Sequence, residues 1–125
     1  MSTKDDCQCS VAPKLIFPCS GSADVGEIAD RAARMLTREG AGKMSCLAGI
    51  GGGVSGMIES AKGASGVLAI DGCSIDCARK TLEKAGINDF VHLRVTDHGI
   101  KKGESSVTDE NVKIIADKGA ALFSS

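Results

Sequence analysis

The sequence contains no tryptophan and no tyrosine, and phenylalanine occurs only three times. Proteins that track single-stranded nucleic acid stack its bases on aromatic or arginine planes, and this chain lacks the aromatic half of that equipment. An excess of positive charge is missing as well. Fifteen Lys and Arg stand against sixteen Asp and Glu, for a net charge of -1, so there is no electrostatic footprint for a phosphate backbone. Nucleic acid is therefore not an expected partner. No apolar stretch approaches the ~20 residues needed to span a bilayer. Residues 1–10, MSTKDDCQCS, are polar and hold no apolar signal region. The expectation is a cytoplasmic protein with no membrane partner, in which thiols stay reduced. Proline is scarce, with two residues, whereas glycine is abundant, with sixteen. That balance suits tight turns between regular elements rather than a disordered linker.

What the chain does have is cysteine, six of them in 125 residues. In a reducing compartment, clustered cysteines point to metal or redox chemistry more than to disulfides. The bland alternative is a set of inert buried thiols. The length fits one domain with a core of its own. Residues 1–13 read as a polar tail carrying Cys7-x-Cys9, and residues 14–125 as a single α/β domain.

Hydrophobic periodicity orders that domain. Lys14–Pro18 (KLIFP) reads as a short buried strand stopped by its proline. Val25 to Glu39 carries apolar residues at helical spacing, with Ser22 or Asp24 as a candidate cap and Gly40 as the stop. Lys43–Ala48 is a second, short strand, followed by a glycine-rich bend, GIGGGVSG, and a short helix ending near Lys62. Gly66–Asp71 (GVLAID) is a continuous apolar run, as expected of a strand buried on both faces. Ser74 to Lys84 reads as a helix ended by Gly86. Phe90–Thr96 alternates as an edge strand would, and Thr108 caps a last helix running from Asp109 to about Leu122. Strands alternating with helices imply a parallel sheet covered on both faces. The expected fold is a three-layer, flavodoxin- or Rossmann-like α/β domain of about four strands in the order 2-1-3-4.

In such a sheet the C-terminal ends of all strands share one edge, where open α/β folds bind ligands. Cys19 follows the first strand, Cys46 lies at or near the end of the second, and Cys73 follows the third, with Cys77 shortly beyond it. Four thiols from three connections therefore converge on one edge. With a helix from Ser74, Cys73 and Cys77 would be neighbours at i, i+4. The helix N-terminus would favour their thiolates, and the same argument extends to Cys19 ahead of its own helix. Four thiolates suit tetrahedral zinc. An iron–sulfur cluster is a less favoured occupant. The spacing is not that of a zinc ribbon, so the fold rather than local knuckles would assemble the site. The rival reading is a thiol-based redox or transfer enzyme using Cys73 and Cys77, or Cys19.

Three stretches carry a resemblance to a known family: PCSG (Pro18–Gly21), MSCLAGIGG around Cys46, and DGCSIDCAR (Asp71–Arg79), followed by VTDHGI. Over about Leu15 to Leu122 the chain resembles the DGC family of small bacterial and archaeal proteins. That resemblance implies metal binding, with zinc as the metal, at a four-cysteine set matching Cys19, Cys46, Cys73 and Cys77. It implies no reaction. Cys7 and Cys9 lie outside the matched region.

Other candidates are weaker. Cys7 and Cys9 could chelate or hand on a soft metal. The glycine bend lacks the Lys-Ser/Thr of a P-loop and a clean GxGxxG, so a close-approach turn is the preferred reading. His98 and Asp97 fall at the same edge as the cysteines, where His98 could be a fifth ligand or a base. His92 reads as structural. Asp71 could orient a ligand or cap the following turn. Lys101 and Lys102 lie on a loop able to cover the edge. A cysteine-dependent phosphatase is excluded, because Ser-Gly-Ser-Ala-Asp-Val follows Cys19 and the first arginine, Arg31, falls well inside the helix.

Overall fold

A computed structural model describes residues 12–124. Cys7 and Cys9 lie outside the described residues. Four strands form an all-parallel sheet: β1 (Lys14–Pro18), β2 (Lys43–Met44), β3 (Gly66–Asp71) and β4 (Val91–Arg94), in the order β2-β1-β3-β4. The helices are α1 (Asp24–Arg38), α2 (Leu47–Gly51), α3 (Ser55–Lys62), α4 (Cys77–Lys84) and α5 (Asp109–Ser124), with a 3₁₀ turn at Val95–His98.

Alternation along the strands builds the three layers, since successive side chains point to opposite faces. Ile16, Leu68 and Ile70 face one side and meet Ile28 and Leu36 of α1 and Ile115 of α5. Leu15, Phe17, Val67 and Ala69 face the other and meet Ile50 of α2, Ala61 of α3, and Ala78 and Leu82 of α4. The central pair has the longest register, Lys14 to Pro18 of β1 against Gly66 to Ile70 of β3. The edge strands pair for two and four residues.

The strand order and the layers agree with the sequence reading, and several boundaries differ. Strand β2 ends at Met44 rather than Ala48. The amide of Ser45 makes the last link to β1, on the Ile16 carbonyl at 2.8 Å, and Leu47 to Gly51 turns into helix instead of bending. Gly49 lies against the Met57 side chain, with no room for a Cβ, so this glycine lets α2 and α3 approach each other. Strand β4 is shorter than Phe90–Thr96, because the chain winds into the 3₁₀ turn after Arg94. Helix α1 begins after Ala23 with no side-chain cap, so neither Ser22 nor Asp24 caps it as expected. The Asp24 carboxylate instead accepts from the amides of Gly103 (2.9 Å) and Ser105 (3.1 Å), 79 and 81 residues away. That strap carries the Lys101–Ser105 loop across the C-terminal edge of the sheet. Thr108 caps α5 as expected, its Oγ1 accepting from the Asn111 amide.

Candidate functional site

At the C-terminal edge, β1 and β3 lie side by side and their crossovers leave in different directions, which is the switch point where ligands bind in open α/β sheets. The loop after β1 carries Cys19, and the loop after β3 carries Gly72 and Cys73. Two hydrogen bonds hold the loops together: the Cys19 amide donates to the Ile70 carbonyl at 2.9 Å, and the Gly72 amide donates to Cys19 Sγ at 3.3 Å. A Cβ on Gly72 would lie 2.8–2.9 Å from the backbone of Val25 and Gly26. Only glycine permits this approach of the β3 loop to the first turn of α1.

The β3–α4 connection departs from the expected helix. Helix α4 starts at Cys77, not Ser74. Asp76 takes a left-handed conformation (φ 57°) and its amide bonds the Cys73 carbonyl, closing a turn over residues 73–76. Cys73 and Cys77 are therefore not on successive turns of one helix. The start of α4 is capped from a distance. The buried Asp71 carboxylate accepts from the amides of Ala78 (2.6 Å) and Arg79 (3.1 Å) and from His92 Nε2 (2.8 Å). Asp71 thus fulfils the capping role foreseen for it, and His92 is part of the framework. Asp76, also buried, is gripped by a two-pronged contact from Arg94: Nε at 2.9 Å to one oxygen and Nη2 at 2.6 Å to the other. The hydrogen bond from Arg94 holds the Asp76 carboxyl below its ordinary range.

Asp71, Asp76 and His92 are, among the described residues, the group whose ligand atoms lie within 4.8 Å of one another. Their oxygens already accept from three protein donors at Asp71 and from an arginine fork at Asp76. The arrangement is an internal ion network fixing the Cys73–Cys77 turn, with positive charge supplied by Arg94 and by Arg79, whose Nη2 is 3.4 Å from Asp76.

The thiols themselves are distributed over two adjoining cavities. Cys19, Cys73 and Cys77 line one of about 120 Å³, together with Asp71, Asp76 and Lys102. Cys19 and Cys46 line a larger one of about 980 Å³ on the β2 side. Cys19 belongs to both, so the four cysteines do reach one edge. Among the described residues, however, no three of their sulfurs lie within 4.8 Å of one another. Cys46 is exposed and stands immediately before α2. Burial pushes the Cys19 thiol up, against the opposing pull of the Gly21 and Gly72 amides, while the charges of Asp71 and Cys77 add to the rise. The expected activation of Cys19 by the following helix is thus overturned by desolvation. Lys102, on the strapped loop, extends its ammonium to Cys73 Sγ at 3.6 Å. His98 ends the 3₁₀ turn and is not among the residues lining either thiol cavity.

The sequence matches the model of the DGC domain over residues 15–118. The chain belongs to the DGC family. The matched span of this DGC domain contains the four candidate cysteines and all of the sheet except Lys14. It is also similar to the anaerobic and virulence modulator AnvM of Pseudomonas aeruginosa, with 35% identity over 88 residues, covering 70% of this chain and 67% of the relative. No solved structure matches this DGC domain. Among the described residues no helix is long and apolar enough to cross a membrane.

Proposed function

We propose that this DGC domain binds a metal ion, zinc, through the thiolates of Cys19, Cys46, Cys73 and Cys77, in a sensing or delivery role in the cytoplasm. The observation that carries the reading is the single cavity lined by Cys19, Cys73 and Cys77, with Cys46 across the adjoining space that Cys19 also lines. The donor set fits the ion. Thiolates bind zinc at about 2.3 Å, and a tetrahedral set then places sulfurs about 3.8 Å apart. Backbone amides donating to sulfur, as Gly72 does to Cys19, are the outer contacts that orient metal ligands. Burial disfavours a bare thiolate at Cys19, and a divalent cation would remove that penalty. Loading the site draws the sulfurs together, and the exposed Cys46 is the ligand with the freest approach. An iron–sulfur cluster fits the same donors less well. The relative's name, a modulator, agrees with a regulatory role.

The test is elemental analysis of protein purified anaerobically without a metal-affinity tag, with Cys→Ser changes at each of the four positions. The expected result is near one zinc per chain, lost on changing Cys19, Cys73 or Cys77 and weakened or lost on changing Cys46. Metal-free wild-type protein that also fails to take up added zinc sinks the reading. A second reading, a thiol-based redox or transfer enzyme, draws on the Lys102 ammonium beside Cys73 Sγ, since a neighbouring cation favours the reactive thiolate. Rapid alkylation of Cys73 in freshly purified protein, unchanged by chelator, would favour it.

A further inference from the structure

The larger cavity extends well past the thiols. At about 980 Å³ it lies at the upper end of the range for small-molecule sites. Its floor includes Met44 and Leu47, and one wall is the C-terminal half of α1, which contributes Arg34 and Arg38, one turn apart. The two arginines differ in their ties. Asp30 accepts from Arg34 Nε at 2.7 Å, and its other oxygen accepts from Ser20 Oγ at 2.7 Å. Burial alone would raise Asp30, but the bonds from Arg34 and Ser20 and the charges of Arg34 and Arg31 outweigh it and hold the carboxyl low. Asp30 is thus a fixed anion that orients Arg34 by its inner nitrogen and leaves the fork of terminal nitrogens toward other partners. Among the described residues the arginine ion pairs are Arg31–Glu27, Arg34–Asp30, Arg79–Asp76, and Arg94 with Asp76 and Asp97; Arg38 enters none of them. Two guanidiniums against one carboxylate give this wall a net positive charge. Ser20, which holds Asp30, has a left-handed backbone (φ 52°). That conformation is unfavourable for a non-glycine residue, and such strain is kept where geometry matters.

We infer that this cavity is a binding site for a small organic anion, whose carboxylate or phosphate head group sits on Arg34 and Arg38 and whose apolar body lies over Met44 and Leu47, with its far end at the thiol of Cys46. A planar guanidinium fork matches the two oxygens of a carboxylate or phosphate, and an apolar floor suits a ligand with a hydrocarbon body. The site shares Cys46 with the proposed metal centre and does not depend on it, because an anion can enter whether or not a metal is held.

The probes are iodoacetate and iodoacetamide, which alkylate thiols alike and differ in charge. They would be applied to metal-free, reduced protein, with modification of Cys46 read by peptide mass. The expected result is a ratio of iodoacetate to iodoacetamide rate that drops by roughly threefold in Arg38→Ala and further in the Arg34→Ala/Arg38→Ala pair, the size expected for unit charges several ångströms apart in a water-like dielectric. The iodoacetamide rate should change only by the shift in thiolate fraction that both reagents share and the ratio cancels, and its persistence shows that the variants fold and Cys46 remains accessible. Arg31→Ala removes an equal charge from the same helix, outside the cavity lining, and should leave the ratio unchanged. Succinate or inorganic phosphate should slow iodoacetate selectively, and the stronger competitor identifies the head group. An unchanged ratio in the Arg38 variant, an equal drop in Arg31→Ala, or no competition by either anion overturns the inference. Failure of zinc binding leaves all these outcomes untouched.

Discussion

The two sides of the sheet edge are built on opposite plans. On the β3–β4 side, the two carboxylates near the thiols are saturated. Asp71 accepts three protein donors, Asp76 takes the Arg94 fork, the Gly72 amide meets Cys19 Sγ, and the remaining space is about 120 Å³. On the β2 side, the strand has two residues, the following helix five, Cys46 is exposed, and the cavity reaches about 980 Å³. A domain that needed only a rigid ion site would close both sides, and one that needed only a binding cleft would not invest two buried aspartates in fixing a five-residue turn. The combination is suited to holding some thiols in place while others remain open to what enters.

The sharpest way to break this contrast is to insert one methyl group on each side. Gly72→Ala sets a Cβ against the backbone of α1, where nothing flexible can yield. A loss of about 1–3 kcal/mol in chemical denaturation is expected, as for overpacked interiors. Gly51→Ala on the open side meets only Thr81 Cγ2 at an ordinary 3.6 Å, and unchanged or slightly raised stability is expected because alanine is the better helix former. Similar costs for both would erase the distinction.

A smaller effect separates the ion pairs. Arg94→Ala takes the two-pronged contact from the Asp76 carboxylate, only 3% exposed, and leaves it Arg79 at 3.4 Å, whereas Arg34→Ala leaves Asp30, 21% exposed, its bond from Ser20. A buried charge that loses its strongest partner costs more than one that water can reach. The melting temperature should therefore fall clearly in the first variant and little in the second, measured by circular dichroism.

The weakest expected effect belongs to the strap. Amides of Gly103 and Ser105 hold the Asp24 carboxyl below its ordinary value of 3.8. A depressed folded-state pKa contributes stability that is present above the unfolded value and lost as pH falls through the folded one. The amide resonances of Gly103 and Ser105 should stay constant at neutral pH and shift only below about pH 4, and Asp24→Asn should abolish that titration. A shift near pH 6 would assign the tether to another group.

The fold was legible from the sequence where apolar period and punctuation agree. GVLAID followed by glycine reads as a strand buried on both faces, and KLIFP ended at its proline. The α/β alternation followed, and with it the arrival of Cys19 and Cys73 at one edge; the 2-1-3-4 order agrees with the structure but comes from the common flavodoxin-like arrangement, not from any residue. The helix expected from Ser74 failed because its start is decided by Asp71, seven and eight residues from the amides it caps, and by a left-handed Asp76 that no local propensity announces. The Asp76–Arg94 fork also escaped notice, since its members are 18 residues apart and belong to different elements. A signal was present: His92 and Arg94, two residues apart on an otherwise apolar strand, face the same side, and β4 pairs Arg94 with Asp71. The activation expected at Cys19 fails for another reason, as helix position can be read from spacing whereas desolvation cannot.

The central pairing of β1 with β3 also sets the order of events during synthesis. Cys19 and the amide that supports its sulfur are 53 residues apart, and they meet only once a parallel pair with a long crossover has closed, a slow and non-local step. A zinc finger can gather its ligands locally and let the metal drive folding. Here Cys19 leaves the ribosome before the loop that carries Cys73 and Cys77 has been made. A cation that needed all of these thiols would meet its full ligand set only after β3 is complete, and not step by step during translation.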